Sequence, residues 1–79
     1  MVDPVLTAIR RSVVEVLPDL DPELVTEGRS LTELGANSID RADIVTMTMA
    51  DLGVSVPVLE FRGVSDIAAL AHVLRRHLG

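Results

Sequence analysis

The residues best suited to chemistry lie between Leu34 and Asp40, where a single serine follows a glycine turn at the start of a helix. Ser38 presents a hydroxyl, but no neighbouring residue is suited to activate it as a nucleophile. A hydroxyl that is presented without a base indicates a point at which another enzyme attaches a group.

Ser38 has a second interpretation, because serine is also a preferred N-cap residue of helices. Asn37 is an equally good cap, and an acid at Asp40 would support the first turn. If Asn37 is the cap, the Ser38 hydroxyl is free at the first helical position, where a phosphate diester is electrostatically favoured. The residues alone leave both interpretations open.

No other set of residues predicts catalysis or metal binding. His72 and His77 are five residues apart, a spacing that does not bring two ligands to one face of a helix. There is no cysteine, which excludes disulfides, thiolate metal sites and cysteine nucleophiles. The glycines are isolated and form no phosphate-binding loop. We therefore expect neither an enzyme nor a metal protein.

The composition limits the fold and the partners. The 79 residues predict one domain, residues 1–79, with an aliphatic core, since 48% are hydrophobic and Phe61 is the only aromatic residue. A net charge of −5 argues against nucleic acid and favours partners with basic surfaces. The chain shows no signal peptide and no membrane-spanning run, so we expect a cytoplasmic monomer that binds no membrane.

The predicted elements begin with a helix that starts at Asp3-Pro4, an N-cap followed by proline at the first position, and ends before Pro18. Residues 19–28 are predicted to form a loop, with a possible helical turn at residues 21–23. The buried positions of the helix are predicted to be Leu6, Ile9, Val13, Val16 and Leu17.

Ser30 and Glu33 have the spacing of a capping box and predict a short helical piece that Gly35 ends, with Leu31 and Leu34 pointing inward. The second long helix is predicted from Asn37 to Leu52. Its inward positions are Ile44, Val45, Thr48, Met49 and Leu52. Its outward positions are Asp40, Asp43, Met47 and Ala50, with Ile39 and Thr46 at the edge.

After Gly53 the sequence predicts an extended segment at residues 54–57 and a short helical turn at residues 58–62. Ser65 is predicted to cap the last helix. The buried stripe of that helix is predicted to be Ile67, Leu70, Ala71, Leu74 and Leu78. The fold class is therefore all-α: a small bundle of three long helices, one or two short helices and a long loop after the first helix.

The pattern Leu34-Gly35-x-x-Ser38-Ile39-Asp40, followed by residues 43–45, resembles the acyl carrier proteins of fatty-acid and polyketide synthesis. Their usual pattern is L-G-x-D-S-L-D-x-x-E-L-V, and the similarity covers essentially the whole chain. It implies that Ser38 carries 4′-phosphopantetheine, attached by a phosphopantetheinyl transferase from coenzyme A. The thiol of this arm would hold acyl groups as thioesters.

The resemblance also implies that the outer face of the second helix docks partner enzymes. The docking residues it implies are Ile39, Asp40, Arg41, Ala42, Asp43, Thr46 and Met47. The chain departs from the usual pattern at Asn37, Arg41 and Thr48. Arg41 lies one turn after Ser38 and either contacts the phosphate of the arm or a partner carboxylate, or lies over its own helix.

Residues 35–41 (GANSIDR), 45–49 (VTMTM) and 58–64 (VLEFRGV) are similar to a narrower group, the free-standing donor carriers of HMG-CoA-synthase-like cassettes in bacterial polyketide pathways. This implies that an acyltransferase supplies malonyl and a decarboxylating ketosynthase-like enzyme converts it to acetyl. An HMG synthase homologue then adds the acetyl unit to a β-keto polyketide, which creates a β-branch. The alternatives are a stand-alone carrier for chain extension or fatty-acid synthesis, and a helical interaction module without a prosthetic group.

Overall fold

A computed structural model describes residues 3–78, which contain helices and no strand. The α-helices are α1 (Pro4–Val16), α2 (Ser38–Leu52) and α3 (Ile67–Leu78). A first 3₁₀ helix (Pro22–Leu24) lies in the loop after α1, and a second (Val58–Phe61) lies between α2 and α3. The all-helical class predicted from the sequence is confirmed.

Helix α1 begins and ends where the sequence predicts. The Asp3 carboxylate accepts a hydrogen bond of 3.0 Å from the Val5 N–H, and Pro4 occupies the first helical position. Leu17 is the C-cap, and Pro18 has no N–H with which to continue the helix. The buried residues of α1 are Val5, Ala8, Ile9, Ser12 and Val13. Leu6, Val16 and Leu17 pack against the core but are only half-buried, whereas Val5 and Ala8 were missed.

The core lies between the three α-helices, with α1 in contact with both α2 and α3. Ile9, Ile44 and Leu74 contribute one fully buried side chain from each helix. On α2 the predicted inward face is confirmed: Thr48 is also fully buried, and Val45, Met49 and Leu52 pack against the core. The Thr48 hydroxyl donates to the Ile44 carbonyl oxygen at 2.7 Å, so this buried polar group is satisfied.

The long loop after α1 is tied to the start of α3. The N–H groups of Ile67 and Ala68 donate to the carbonyl oxygens of Arg29 and Glu27, at 2.9 and 3.1 Å. These N–H groups belong to the first turn of a helix, where they have no partner within the helix itself. The loop therefore supplies hydrogen bonds that hold α3 in place.

Two predictions about α3 were wrong. The Asp66 carboxylate, not the Ser65 hydroxyl, accepts from the helix, because Asp66 Oδ1 lies 2.8 Å from the N–H of Ala69, three residues on. Leu78 is 44% exposed, since it is the last helical residue and lies one turn beyond the last buried position of α3. The buried residues are Ile67, Leu70, Ala71, Val73 and Leu74.

The segment between α2 and α3 has the predicted extended and helical parts. Gly53 ends α2 in the left-handed region at φ 69°, and the extended residues that follow bury Val56. Glu60, in the second 3₁₀ helix, contacts His77 at 2.9 Å and Arg76 at 3.8 Å. These contacts join the 3₁₀ helix to the end of α3.

Within residues 3–78, none of the helices has the length and apolar character required to cross a membrane. The same residues contain no cluster of histidine and carboxylate side chains that would hold a metal ion.

The candidate functional site at the start of α2

The segment that precedes α2 forms a single turn, which is stabilised by a capping box between Ser30 and Glu33. Ser30 Oγ accepts from the Glu33 N–H, and the Glu33 carboxylate accepts from the Ser30 N–H, both at 3.0 Å. The predicted box is thus present, but residues 31–35 form a turn and not the short helix expected. Gly35 explains this, because its φ of 99° breaks the helical path after one turn.

Apolar side chains attach this turn to the core. Leu31 is 9% and Ala36 4% exposed, and the Ala36 N–H donates to the Leu31 carbonyl oxygen at 3.0 Å. Leu34, which was also predicted to point inward, is half-buried against the core. The residues directly before α2 are therefore held in place by their contacts with the core.

A second capping box starts α2 itself. Asn37 Oδ1 accepts from the Asp40 N–H at 2.8 Å, and Asp40 Oδ2 accepts from the Asn37 N–H at 3.2 Å. Asn37 is consequently the N-cap, and Ser38 is the first residue of the helix. Of the two interpretations that the sequence left open, the structure supports the one in which Ser38 does not cap.

The Ser38 side chain is exposed, and none of the groups in residues 3–78 forms a hydrogen bond with its hydroxyl. Its position is the first turn of a 15-residue helix, where backbone N–H groups and the helix dipole favour an anion. A phosphate ester on Ser38 Oγ would lie beside the N–H groups of Ser38 and Ile39, which have no acceptor within the helix. The local structure therefore fits a phosphodiester group at this residue.

The structure places all the predicted docking residues in the first three turns of α2, with different exposures. Ile39 is 71% exposed. Ala42, Asp43 and Thr46 are also exposed, whereas Asp40, Arg41 and Met47 are half-buried. The half-burial of Asp40 and Met47 differs from the prediction, which placed both on the outer arc. A docking role for these seven residues stays a prediction.

A groove beside this site was not predicted from the sequence. It has a volume of about 580 Å³ and lies between α2, the second 3₁₀ helix and the start of α3. Its apolar lining includes Leu31, Val45, Met49, Phe61, Val64 and Leu70, and its polar lining includes Thr32, Arg41, Thr46, Ser65 and Asp66. The helical pattern predicts Val45 and Met49, one turn apart, as core positions but not as groove positions. The sequence does not give the distance between α2 and the segment around Phe61.

Arg41 does not lie over its own helix. Its Nη1 donates to the Thr32 hydroxyl at 2.8 Å, so the side chain reaches back to the turn that precedes α2. Among residues 3–78, no carboxylate lies within ion-pair distance of Arg41.

Comparisons with known proteins agree with the geometry. Residues 7–74 match the protein family described as the phosphopantetheine attachment site. Over 63 residues, the chain is 46% identical to the polyketide biosynthesis acyl-carrier-protein AcpK of Bacillus subtilis strain 168, an alignment that covers 80% of this chain and 77% of AcpK. No solved structure gave a significant match.

The predicted family and cofactor are thereby confirmed. Members of this family are carriers and not catalysts, and they work with a phosphopantetheinyl transferase and with biosynthetic enzymes. The matched span contains Ser38 and the whole of α2. The chain belongs to the acyl carrier proteins, the family that bears 4′-phosphopantetheine.

Proposed function

We propose that this carrier holds malonyl and then acetyl as thioesters on an arm at Ser38, and that it donates acetyl to an HMG synthase homologue for β-branching of a polyketide. The observation that carries the proposal is the cap of α2. Because Asn37 accepts from the Asp40 N–H, the Ser38 hydroxyl is left exposed and without a hydrogen-bond partner among residues 3–78.

Attachment forms a bond between Ser38 Oγ and the phosphorus of phosphopantetheine and releases adenosine 3′,5′-bisphosphate from coenzyme A. The proton of the hydroxyl passes to a base on the transferase, because neither Glu33 nor Asp40 forms a hydrogen bond with the Ser38 hydroxyl. Glu33 and Asp40 each accept a backbone hydrogen bond within their own box. This chain contributes the exposed hydroxyl and the helix N-terminus that favours the phosphate.

The polyketide assignment is supported by the 46% identity to AcpK, whose name places it in polyketide biosynthesis. The β-branching role is supported by the similarity of residues 35–41, 45–49 and 58–64 to donor carriers of HMG-CoA-synthase-like cassettes. The partners in this role are an acyltransferase, a decarboxylating ketosynthase-like enzyme and the HMG synthase homologue. A single domain over residues 1–79, a monomeric state and a cytoplasmic location belong to the same proposal.

The docking surface in this proposal is the outer face of α2. Ile39 offers an exposed apolar side chain next to the site, and Asp43 offers a carboxylate one turn further along. An apolar contact flanked by acidic charge suits a partner surface with an apolar spot and basic residues around it.

Two assays test the proposal in sequence. Incubation with coenzyme A and a broad-specificity phosphopantetheinyl transferase should add one phosphopantetheine by intact mass, and Ser38→Ala should abolish the addition. An unmodified wild-type protein would contradict the attachment site. The acetyl-loaded protein should then be a better substrate for an HMG synthase homologue than an acetyl-loaded fatty-acid carrier; equal transfer would support the stand-alone carrier instead.

A further inference from the structure

We propose that Arg41 is a specificity-determining residue that distinguishes a carboxyacyl group such as malonyl from acetyl on the arm. The inference rests on the proposed attachment at Ser38 and goes beyond it. It assigns to the chain itself, and not to a partner enzyme, a means of recognising which of two acyl groups is loaded.

The groove beside α2 cannot make this distinction by apolar contact. The apolar part of its lining consists of aliphatic side chains and Phe61. Burial of one CH₂ group contributes only about 0.8 kcal/mol, and malonyl and acetyl differ by a carboxylate and not by apolar surface. A charged group on the groove is needed to separate the two.

The groove has two charged lining residues, Arg41 and Asp66, and neither forms an ion pair within residues 3–78. Asp66 uses Oδ1 to accept from the Ala69 N–H and so caps α3. Arg41 has no carboxylate partner within residues 3–78, and its hydrogen bond to Thr32 is to a neutral hydroxyl. Arg41 is half-buried as a residue, and its guanidinium brings to the groove a positive charge that no ion pair within residues 3–78 neutralises.

The hydrogen bond to Thr32 fixes the direction of this guanidinium and leaves its other N–H donors available. Arginine has five N–H donors in a planar arrangement that matches a carboxylate, and only Nη1 is engaged by Thr32. A carboxylate in the groove can accept from the remaining donors while Thr32 keeps the side chain in place.

Arg41 lies where an arm from Ser38 would meet it. Residues three apart on a helix are neighbours on its surface, separated by about 4.5 Å along the axis. Arg41 is thus both adjacent to the proposed attachment residue and part of the groove lining. A group on the arm that enters the groove comes within reach of its guanidinium.

The recognition has a direct consequence for the order of steps. Decarboxylation breaks the bond between the malonyl carboxylate and its CH₂ group, releases CO₂ and takes up one proton to give acetyl. The group that Arg41 binds is then gone. Malonyl is retained at the groove, and acetyl is free to be delivered to the next enzyme.

The test compares the apo, holo, acetyl and malonyl forms of ¹⁵N-labelled protein by NMR, with the Arg41 Nε–Hε signal and the Thr32 amide as readouts. We expect both signals to move in the malonyl form relative to holo, and to stay in place in the acetyl form. The movement should shrink in about 1 M NaCl, where the screening length falls to about 3 Å.

Matched variants separate the effect of Arg41 from that of net charge. Arg41→Gln should remove the difference between the malonyl and acetyl spectra at Thr32, whereas Arg62→Gln, an exposed arginine outside the groove lining, should retain it. Thr32→Ala should reduce the malonyl shift without changing the charge.

Each remaining outcome is decisive. Identical malonyl and acetyl spectra would overturn the role of Arg41 and leave the carrier function intact. A shift of Arg41 that is complete in the holo form would show a contact with the phosphate of the arm, which also overturns the role. Failure to form any holo protein would remove the proposed function, and this inference with it.

Discussion

Two capping boxes lie seven residues apart in this chain, and they use their serines in opposite ways. At the turn before α2, Ser30 is itself the cap, and its Oγ accepts from the Glu33 N–H at 3.0 Å. At the start of α2, Asn37 is the cap, and Ser38 follows it at the first helical position. A capping box therefore engages the hydroxyl of Ser30 in the first case and leaves the hydroxyl of Ser38 available in the second.

The difference shows what makes a serine available at a helix start. The first turn needs one side-chain acceptor, and the residue that supplies it has its polar group occupied. Placing an asparagine directly before Ser38 meets that need at a neighbouring position. The availability of Ser38 is thus a property of Asn37 as much as of the serine.

The largest expected effect comes from replacing each serine in turn. Ser38→Ala should abolish phosphopantetheine addition and change the free energy of unfolding little, because its hydroxyl forms no hydrogen bond with residues 3–78. Ser30→Ala should reduce the free energy of unfolding by about 1 kcal/mol and leave the addition complete. Intact mass after transferase treatment and urea unfolding measure the two properties separately.

The two variants serve as controls for each other, since each removes one serine hydroxyl and the two serines lie eight residues apart. Loss of modification in Ser30→Ala, with the fold intact by circular dichroism, would break the comparison. It would mean that the first box, and not the second, prepares the site.

A smaller effect is expected from the cap of α2. Asn37→Ala should lower the free energy of unfolding by about 1 kcal/mol, since it removes the acceptor for the Asp40 N–H. Ser38 is then the adjacent residue able to cap, so the initial rate of phosphopantetheine addition should fall. Urea unfolding and the time course of intact mass measure these effects.

Asn37→Asp is the matched control for this prediction. It keeps an acceptor at the cap, and aspartate is the residue that acyl carrier proteins usually have before the serine. We expect wild-type stability within about 0.5 kcal/mol and an unchanged rate of addition. An unchanged rate in Asn37→Ala, despite lower stability, would show that the cap does not control the serine.

Much of this arrangement could be predicted from the sequence because caps act over three residues. Asp3, Ser30 and Asn37 each have their partner within that distance, and all three were identified as caps or candidate caps. The prediction was wrong where two candidates are adjacent: Ser65 and Asp66 are both good caps, and only the structure shows which one reaches Ala69.

The sequence could not predict features that depend on contacts between distant segments. The groove requires α2 and the second 3₁₀ helix to stand apart at Met49 and Phe61, and no local pattern encodes that separation. The direction of Arg41 depends on Thr32, nine residues earlier, which the sequence did not connect with it. The one-turn length of the first box depends on the backbone angle of Gly35.

A third cap, at the start of α1, differs from that of α2 because it carries a charge. The Asp3 carboxylate caps α1 and also pairs with Arg75 of α3. Partial desolvation alone would raise the pKa of Asp3. The hydrogen bond from Arg75 and those from the N–H groups of Val5 and Leu6 outweigh it and hold the pKa below its ordinary value.

The smallest expected effect is a pH dependence confined to this cap. The pKa of Asp3 is lower in the folded than in the unfolded state. The ionised carboxylate therefore contributes to the free energy of unfolding above the ordinary pKa of aspartate. This contribution is lost as the pH falls through the lowered pKa of the folded state. Asp3→Asn should therefore be less stable than wild type at pH 7 and equally stable below the lowered pKa. Urea unfolding across this range measures the difference, which salt should reduce because the pair is partly exposed.

Asp21→Asn is the control for the charge at Asp3, since Asp21 caps the first 3₁₀ helix with a backbone hydrogen bond and has no ion pair within residues 3–78. It should lose less stability at pH 7 than Asp3→Asn. A constant difference in the free energy of unfolding between Asp3→Asn and wild type, from pH 7 down to strong acid, would contradict the ion pair.

With the ion pair confirmed, the caps of α1 and α2 would differ in kind. Asp3 joins two helices through a charge, whereas the neutral Asn37 keeps its acceptor at every pH and leaves Ser38 available throughout.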